Sequence, residues 1–182
     1  MSTASQRRVA VFAIAISKLM GLPREQVEQI AWAATFYDVG MTFPCDSQHY
    51  NHAPLTPSEE QIIREHCNYG YRLLKKTPFL EDAAETFYAH HEHYDGSGCP
   101  RGLKGDSIPL GGRIMAVATA FADLTSYTLY RPARSSSLAR EEIRRCSRHQ
   151  FDPEIVEAFC RVPDAVWRDL IKQCDSGSDS AP

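Results

Sequence analysis

The chain has 182 residues, a net charge of −3, 43% hydrophobic and 24% charged residues. This is the size and balance of one soluble globular domain with a sizeable core, and no basic excess supports a nucleic-acid partner. The six cysteines, at 45, 67, 99, 146, 160 and 174, include no CxxC pair, which argues against a cysteine zinc site and a small secreted disulfide scaffold. The first residues lack the charged-then-apolar order of a signal peptide. The longest apolar run, Val9 to Ile16, is too short to span a bilayer. The expectation is a cytoplasmic protein with reduced thiols and no membrane partner.

Arg8 to Met20 predicts an apolar helix stopped by Gly21. Pro23 opens a second helix, through Val27, Ile30, Ala31 and Ala34 to Tyr37-Asp38, ended by Gly40. A polar loop spans Met41 to Leu55. Thr56-Pro57-Ser58-Glu59 then reads as a capping box. Its helix carries Ile62, Ile63, His66, Tyr69 and Leu73 at helical spacing. Another helix covers Glu81 to His91. The segment from Tyr94 to Pro109 holds four glycines and two prolines, so it is expected to be irregular. Leu110 to Leu124 reads as a small-residue helix, Ser137 and Asp152-Pro153 start two more, and an amphipathic one lies around Val166 to Ile171. Residues 175 to 182, rich in Ser, Asp and Gly, are expected to be disordered. No repeat and no alternating strand pattern is present. The expected fold is all-α, a bundle of about seven helices, as one domain over 1–173 with a tail at 174–182.

The most informative stretch is His90-His91-Glu92-His93-Tyr94-Asp95-Gly96-Ser97-Gly98-Cys99-Pro100. Neutral imidazole is the commonest nitrogen ligand for transition metals, and two adjacent imidazoles at a helix end can fan onto one ion. Asp38, His66, His90 and His91 fall at the ends or inner faces of three predicted helices. One carboxylate with three imidazoles suits iron, manganese, zinc or nickel better than calcium or magnesium. Each residue alone has a plainer role: His66 as a core histidine, Asp38 as a helix-end turn residue. His49 and His52 read as solvated loop histidines, and Cys99 has no activating partner in the sequence.

The order of these motifs resembles the HD-GYP family. The resemblance runs from Tyr37-Asp38-Val39-Gly40 through His66 and His90-His91-Glu92 into Tyr94 to Gly105. It continues at Ile108-Pro109-Leu110, Arg113-Ile114, Leu124-Thr125-Ser126 and Gln150-Phe151-Asp152-Pro153, spanning about residues 5 to 162. It implies an all-α metal-dependent phosphohydrolase. Active members of the family bind two or three metal ions and cleave cyclic di-GMP to pGpG or GMP, bridged metals supplying hydroxide and neutralising phosphate charge.

The chain departs from that pattern at defined places. The family's histidine-aspartate doublet is Tyr37-Asp38, and its phosphate-side lysine is Met41. Its second essential aspartate is Thr119, and its substrate-holding aspartate is Ala122, with Asp123 one position away on a different helix face. Its basic pair maps onto Thr128 and Arg131, and the tyrosine of its GYP loop is Cys99. The retained Asp38, His66, His90 and His91 resemble the ligands of one metal position, while Tyr37 and Thr119 stand at lost ones. The resemblance therefore implies at most one divalent ion and an impaired phosphodiesterase working as a regulatory or protein-interaction module. The alternative is a divergent phosphodiesterase with a reduced metal site, in which Lys104, Arg113 and Arg131 attract phosphate. The loop at Asp95, Gly96, Gly98, Cys99 and Pro100 is the expected docking surface for a diguanylate cyclase (GGDEF) domain, and cyclic di-GMP the expected small-molecule partner.

Overall fold

The computed structural model describes residues 3–39, 57–127 and 131–176. Among them are eight α-helices and no strand, with an isolated bridge between Ser147 and Phe151. The helices are α1 (Thr3–Leu19), α2 (Arg24–Thr35), α3 (Pro57–Lys75), α4 (Glu81–Tyr88), α5 (Leu110–Thr125), α6 (Ser136–Arg145), α7 (Pro153–Arg161) and α8 (Asp164–Ser176). No helix among the described residues is long and apolar enough to cross a membrane.

Helices α1 and α5 form the centre. α1 packs on α2, α5, α7 and α8, and α5 also meets α4 and α6. The reason lies in their composition: α5 buries Ile114, Met115, Ala116, Val117, Ala118, Phe121, Ala122 and Leu124, apolar around most of its circumference, as a helix enclosed on all sides must be. An aromatic cluster closes the far end. Phe12, Phe121 and Phe159 surround Trp167, with ring centroids 4.7 to 5.9 Å from its own, and the Trp167 indole donates to the Phe159 carbonyl at 3.3 Å. At the near end α5 approaches α4 so closely that a Cβ on Gly112 would stand 2.7 Å from the Ala89 Cβ. That contact seats α5 directly beneath the turn that carries His90 and His91.

Several boundaries differ from the sequence expectation. α2 stops at Thr35, and residues 36–39 form a turn in which the Val39 amide donates to the Phe36 carbonyl at 2.8 Å, so Tyr37 and Asp38 lie outside the helix. α4 stops at Tyr88 instead of His91 because the chain unwinds into the following loop, the His91 carbonyl accepting from the Cys99 amide at 3.1 Å. α6 starts at Ser136, capped by Ser135, and Asp152 caps α7 as its position before Pro153 suggests. α8 runs through Ser176, past the expected domain end at 173, because Asp175 is anchored. The loop from Met41 to Leu55, Thr56, Thr128, His49, His52 and residues 177–182 lie outside the described residues.

The anchor is Arg8, buried on α1. Its guanidinium donates to the Thr125 carbonyl at 2.8 Å, to Ser126 Oγ at 3.1 Å and to both Asp175 oxygens at 2.7 Å. It ties α1 to the C-terminal end of α5 and to α8. Arg8→Ala should lower stability by about 2–3 kcal/mol, because charge-assisted hydrogen bonds are lost and buried acceptors left unpaired. Urea denaturation followed by far-ultraviolet circular dichroism measures it.

Candidate metal centre

His66 points inward from the middle of α3, and His90 and His91 occupy the turn that ends α4, so the α3–α4 packing brings them together. The ring centroids of His90 and His91 are 4.0 Å apart, and those of His66 lie 5.6 and 5.9 Å from them. One donor atom from each of His66, Cys67, His90 and His91 lies within 4.8 Å of every other. His66 and His90 are almost wholly buried. Among the described residues, His66 Nδ1, His66 Nε2 and His90 Nε2 have no hydrogen-bond partner.

The protonation pattern follows from burial. His66 is pushed down to about 4, chiefly by desolvation; the nearby Val39 and Tyr37 carbonyls oppose this, although neither meets its ring with hydrogen-bond geometry. Burial, then the neighbouring His66, lowers His90 to about 3. His91 is also held well below the ordinary value, by burial and by the other two rings, while its residue keeps some accessible surface. All three rings are therefore neutral at pH 7, the form that binds metal. His90 Nδ1 bonds the Phe87 carbonyl. A carbonyl only accepts, so Nδ1 carries the proton and Nε2 offers its lone pair; orientation of a histidine by a backbone carbonyl is the usual support behind a metal ligand. The donor set and its orphaned nitrogens thus fit a divalent transition metal.

Asp38 stands apart from this group. Burial raises its carboxyl, with hydrogen bonds from Gln6 and Tyr37 acting against it, and one oxygen has no partner among the described residues. Its electrostatic neighbour is Asp123, which burial first and Asp38 second push up to about 7, with Arg131 pulling back. Arg131 also donates to the Asp123 carbonyl at 2.7 Å. Sequence reasoning set Asp123 aside for lying off the Ala122 face. It is four residues past Thr119, hence on the Thr119 face, and that spacing was the signal. Cys67 was missed as well, although it directly follows His66.

The other predicted positions have structural engagements. Tyr37 is buried edge-on to the His90 ring, with centroids 6.5 Å apart. The Thr119 hydroxyl turns back onto its own helix, donating to the Met115 carbonyl at 2.6 Å. Arg113 is drawn into ion pairs with Asp106 at 2.8 Å and the buried Asp152 at 2.6 Å, so its charge is spent on joining the loop to α7. Lys104 is exposed and covers Gly96. Met41 lies outside the described residues.

The glycine loop hangs on Glu92. Its buried carboxylate accepts from the Arg101 amide at 2.7 Å and the Leu103 amide at 2.9 Å. Asp95 accepts from the Ser97 amide and hydroxyl at 2.9 and 2.6 Å. Gly98 is needed because a Cβ there would collide with the backbone of Glu92 and His93. Cys99 is buried with Ile63 and Cys67, so of the expected docking residues it faces inward, while Ser97, Arg101 and Lys104 are exposed.

Two outcomes follow. Glu92→Gln, which puts an amide NH2 against a backbone donor, should cost about 2 kcal/mol and speed hydrogen exchange at Arg101 and Leu103 while the α5 amides stay protected, as nuclear magnetic resonance resolves. In the metal-free protein, His66 and His90 have folded values below the ordinary 6.5, so their contribution is complete above that pH and is lost as pH falls toward about 4 and about 3. Asp123, raised from 3.8 to about 7, acts oppositely, its contribution being lost as pH rises through about 7. With more lowered histidines than raised carboxyls in this region, the melting temperature should fall between pH 7 and pH 4. His66→Gln should flatten that slope and Asp123→Asn steepen it.

A family model described as the HD domain matches residues 1–155. The chain is 36% identical over 153 residues to a cyclic di-GMP phosphodiesterase of Thermotoga maritima, covering 83% of this chain and 42% of that protein. It is 35% identical over 162 residues to the cyclic di-GMP phosphodiesterase response regulator RpfG of Xanthomonas campestris pv. campestris, covering 88% and 43%. The chain thus spans less than half the length of these relatives. A solved structure of an HDG"Y"P protein from Bdellovibrio bacteriovorus superposes with a TM-score of 0.69 at 13% identity, over 90% of this chain and 51% of that one. The helical architecture, the histidine pair entering the glycine loop and these similarities agree, and the chain belongs to the HD domain family, in its HD-GYP branch.

Proposed function

We propose that this chain is a metal-binding HD-GYP domain of cyclic di-GMP signalling whose hydrolytic centre is impaired and which acts as a regulatory or protein-interaction module. The observation that carries this reading is the contrast between two halves of the site. Three neutral imidazoles converge, two of them, His66 and His90, with nitrogens that have no hydrogen-bond partner among the described residues, whereas at the second carboxylate position the Thr119 hydroxyl is bonded to the Met115 carbonyl. A neutral oxygen engaged with its own helix is a poor counterpart for a second divalent ion. His66, His90 and His91 would hold one ion of iron, manganese, zinc or nickel, and a bound ion supplies Lewis acidity. With a single ion, the pair that elsewhere generates hydroxide and clamps the phosphate is incomplete.

The chain's own residues then serve binding and display. Glu92 locks the loop, and Ser97, Arg101 and Lys104 stand exposed upon it, a surface suited to a GGDEF domain. A specific observation favours the second reading, a divergent cyclic di-GMP phosphodiesterase. Asp38 and Asp123 share an electrostatic neighbourhood with Arg131, and Asp123 of this group stands one helical turn from Thr119.

The test is a turnover assay of the full chain with cyclic di-GMP in manganese or anaerobic ferrous iron. The expected outcome is no pGpG or GMP above the metal-free blank, together with binding of a diguanylate cyclase domain that Gly98→Ala weakens in calorimetry. Turnover that disappears in Asp123→Asn would establish the second reading.

A further inference from the structure

Cys67 is the donor in the buried cluster to which the reading above gives no role. It follows His66 on α3 and is fully buried. On one side it packs with Ile63 and Cys99, against which Tyr88 also lies. On the other its Sγ is within 4.8 Å of donor atoms of His66, His90 and His91. The thiol therefore sits on the border between apolar packing and three imidazoles.

We propose that Cys67 is the fourth protein ligand of the ion held by His66, His90 and His91, completing a closed site of three imidazoles and one thiolate suited to zinc. The assignment rests on the metal-centre reading above and deepens it. Asp38, the ligand expected from sequence, has Asp123 as its electrostatic neighbour and is absent from the group of converging donors. Among the described residues, His66 and His90 in this group carry buried nitrogens without a hydrogen-bond partner, which an ion would satisfy.

The spacing is compatible. Zinc bonds of about 2.0–2.1 Å to nitrogen and about 2.3 Å to sulfur place tetrahedral donors about 3.3–3.6 Å apart. The observed spread of at most 4.8 Å exceeds this by no more than about 1.2–1.5 Å. Without an ion, burial and the adjacent Cys99 push the Cys67 thiol up, so it stays protonated. Loading breaks the S–H bond, forms a sulfur–metal bond and releases one proton to solvent.

Four protein ligands leave no position for water, which is the mark of structural zinc sites rather than catalytic ones. An ion so held fastens α3 to the end of α4, at the point where the glycine loop begins. The closed shell also explains physically why such a chain would keep its metal and lose its hydroxide.

Cobalt(II) chloride added to the full, metal-free chain is the probe. The expected result is about one cobalt per chain, with the intense visible bands of a four-coordinate ion and a near-ultraviolet thiolate-to-cobalt band, both bleached by zinc. Cys67→Ser should lose the near-ultraviolet band and Cys99→Ser should keep it. A band absent from the wild type, surviving in Cys67→Ser, or lost in Cys99→Ser alone overturns the assignment. X-ray absorption of the zinc-loaded wild type should show one sulfur at about 2.3 Å. A shell of nitrogen and oxygen only overturns it without any dependence on variant folding. Failure of the wild type to bind cobalt, or full binding by His90→Ala, instead removes the metal-centre reading itself.

Discussion

The structure turns on burying uncharged imidazoles between α3 and the end of α4. An unpartnered ring nitrogen away from water costs about 1–3 kcal/mol, and this chain keeps three such atoms on His66 and His90. Surrounding packing must supply that energy. It does so through α5, whose largely apolar circumference packs at Gly112 against Ala89, next to the turn. The same enclosure holds the rings neutral at physiological pH, so the feature that costs stability prepares the donors for metal.

The loop after the histidines is coupled to that centre by short covalent distance and by Glu92. His91 lends its carbonyl to the Cys99 amide, and Glu92 collects the Arg101 and Leu103 amides. Arg113 extends the connection through Asp106 to Asp152, the cap of α7. A change in how His90 and His91 are held therefore has a direct mechanical path to the exposed side chains of the loop.

A second polar neighbourhood, Asp38 with Asp123 and Arg131, stands beside the account of loss. Asp123 stands one turn along the helix face that carries Thr119. The relatives matched here are more than twice as long as the aligned region, so partners and substrate are properties to be tested on this chain itself.

Much was legible in sequence because it is local. Helical periodicity, the Asp152-Pro153 cap and the glycine-rich segment from Tyr94 to Pro109 are set by backbone preferences within a few residues, and they gave the all-α class and the family. The vicinal histidines likewise raised the expectation of a metal site, and they fall in the cluster of converging donors. Helix ends at Tyr37 and His91 were misjudged because the Phe36 and His91 carbonyls are taken by the Val39 and Cys99 amides, and Arg113 because its partners lie 7 and 39 residues away. Cys67 and Asp123 gained their meaning only through packing. Adjacent helix positions point about 100° apart, so nothing in the order His66-Cys67 says that both side chains reach one place. Sequence by itself determined which potential donors this protein carries; the tertiary structure decided which of them meet, because only the close seating of α3, α4 and α5 converts residues far apart in the chain into one cluster of donors.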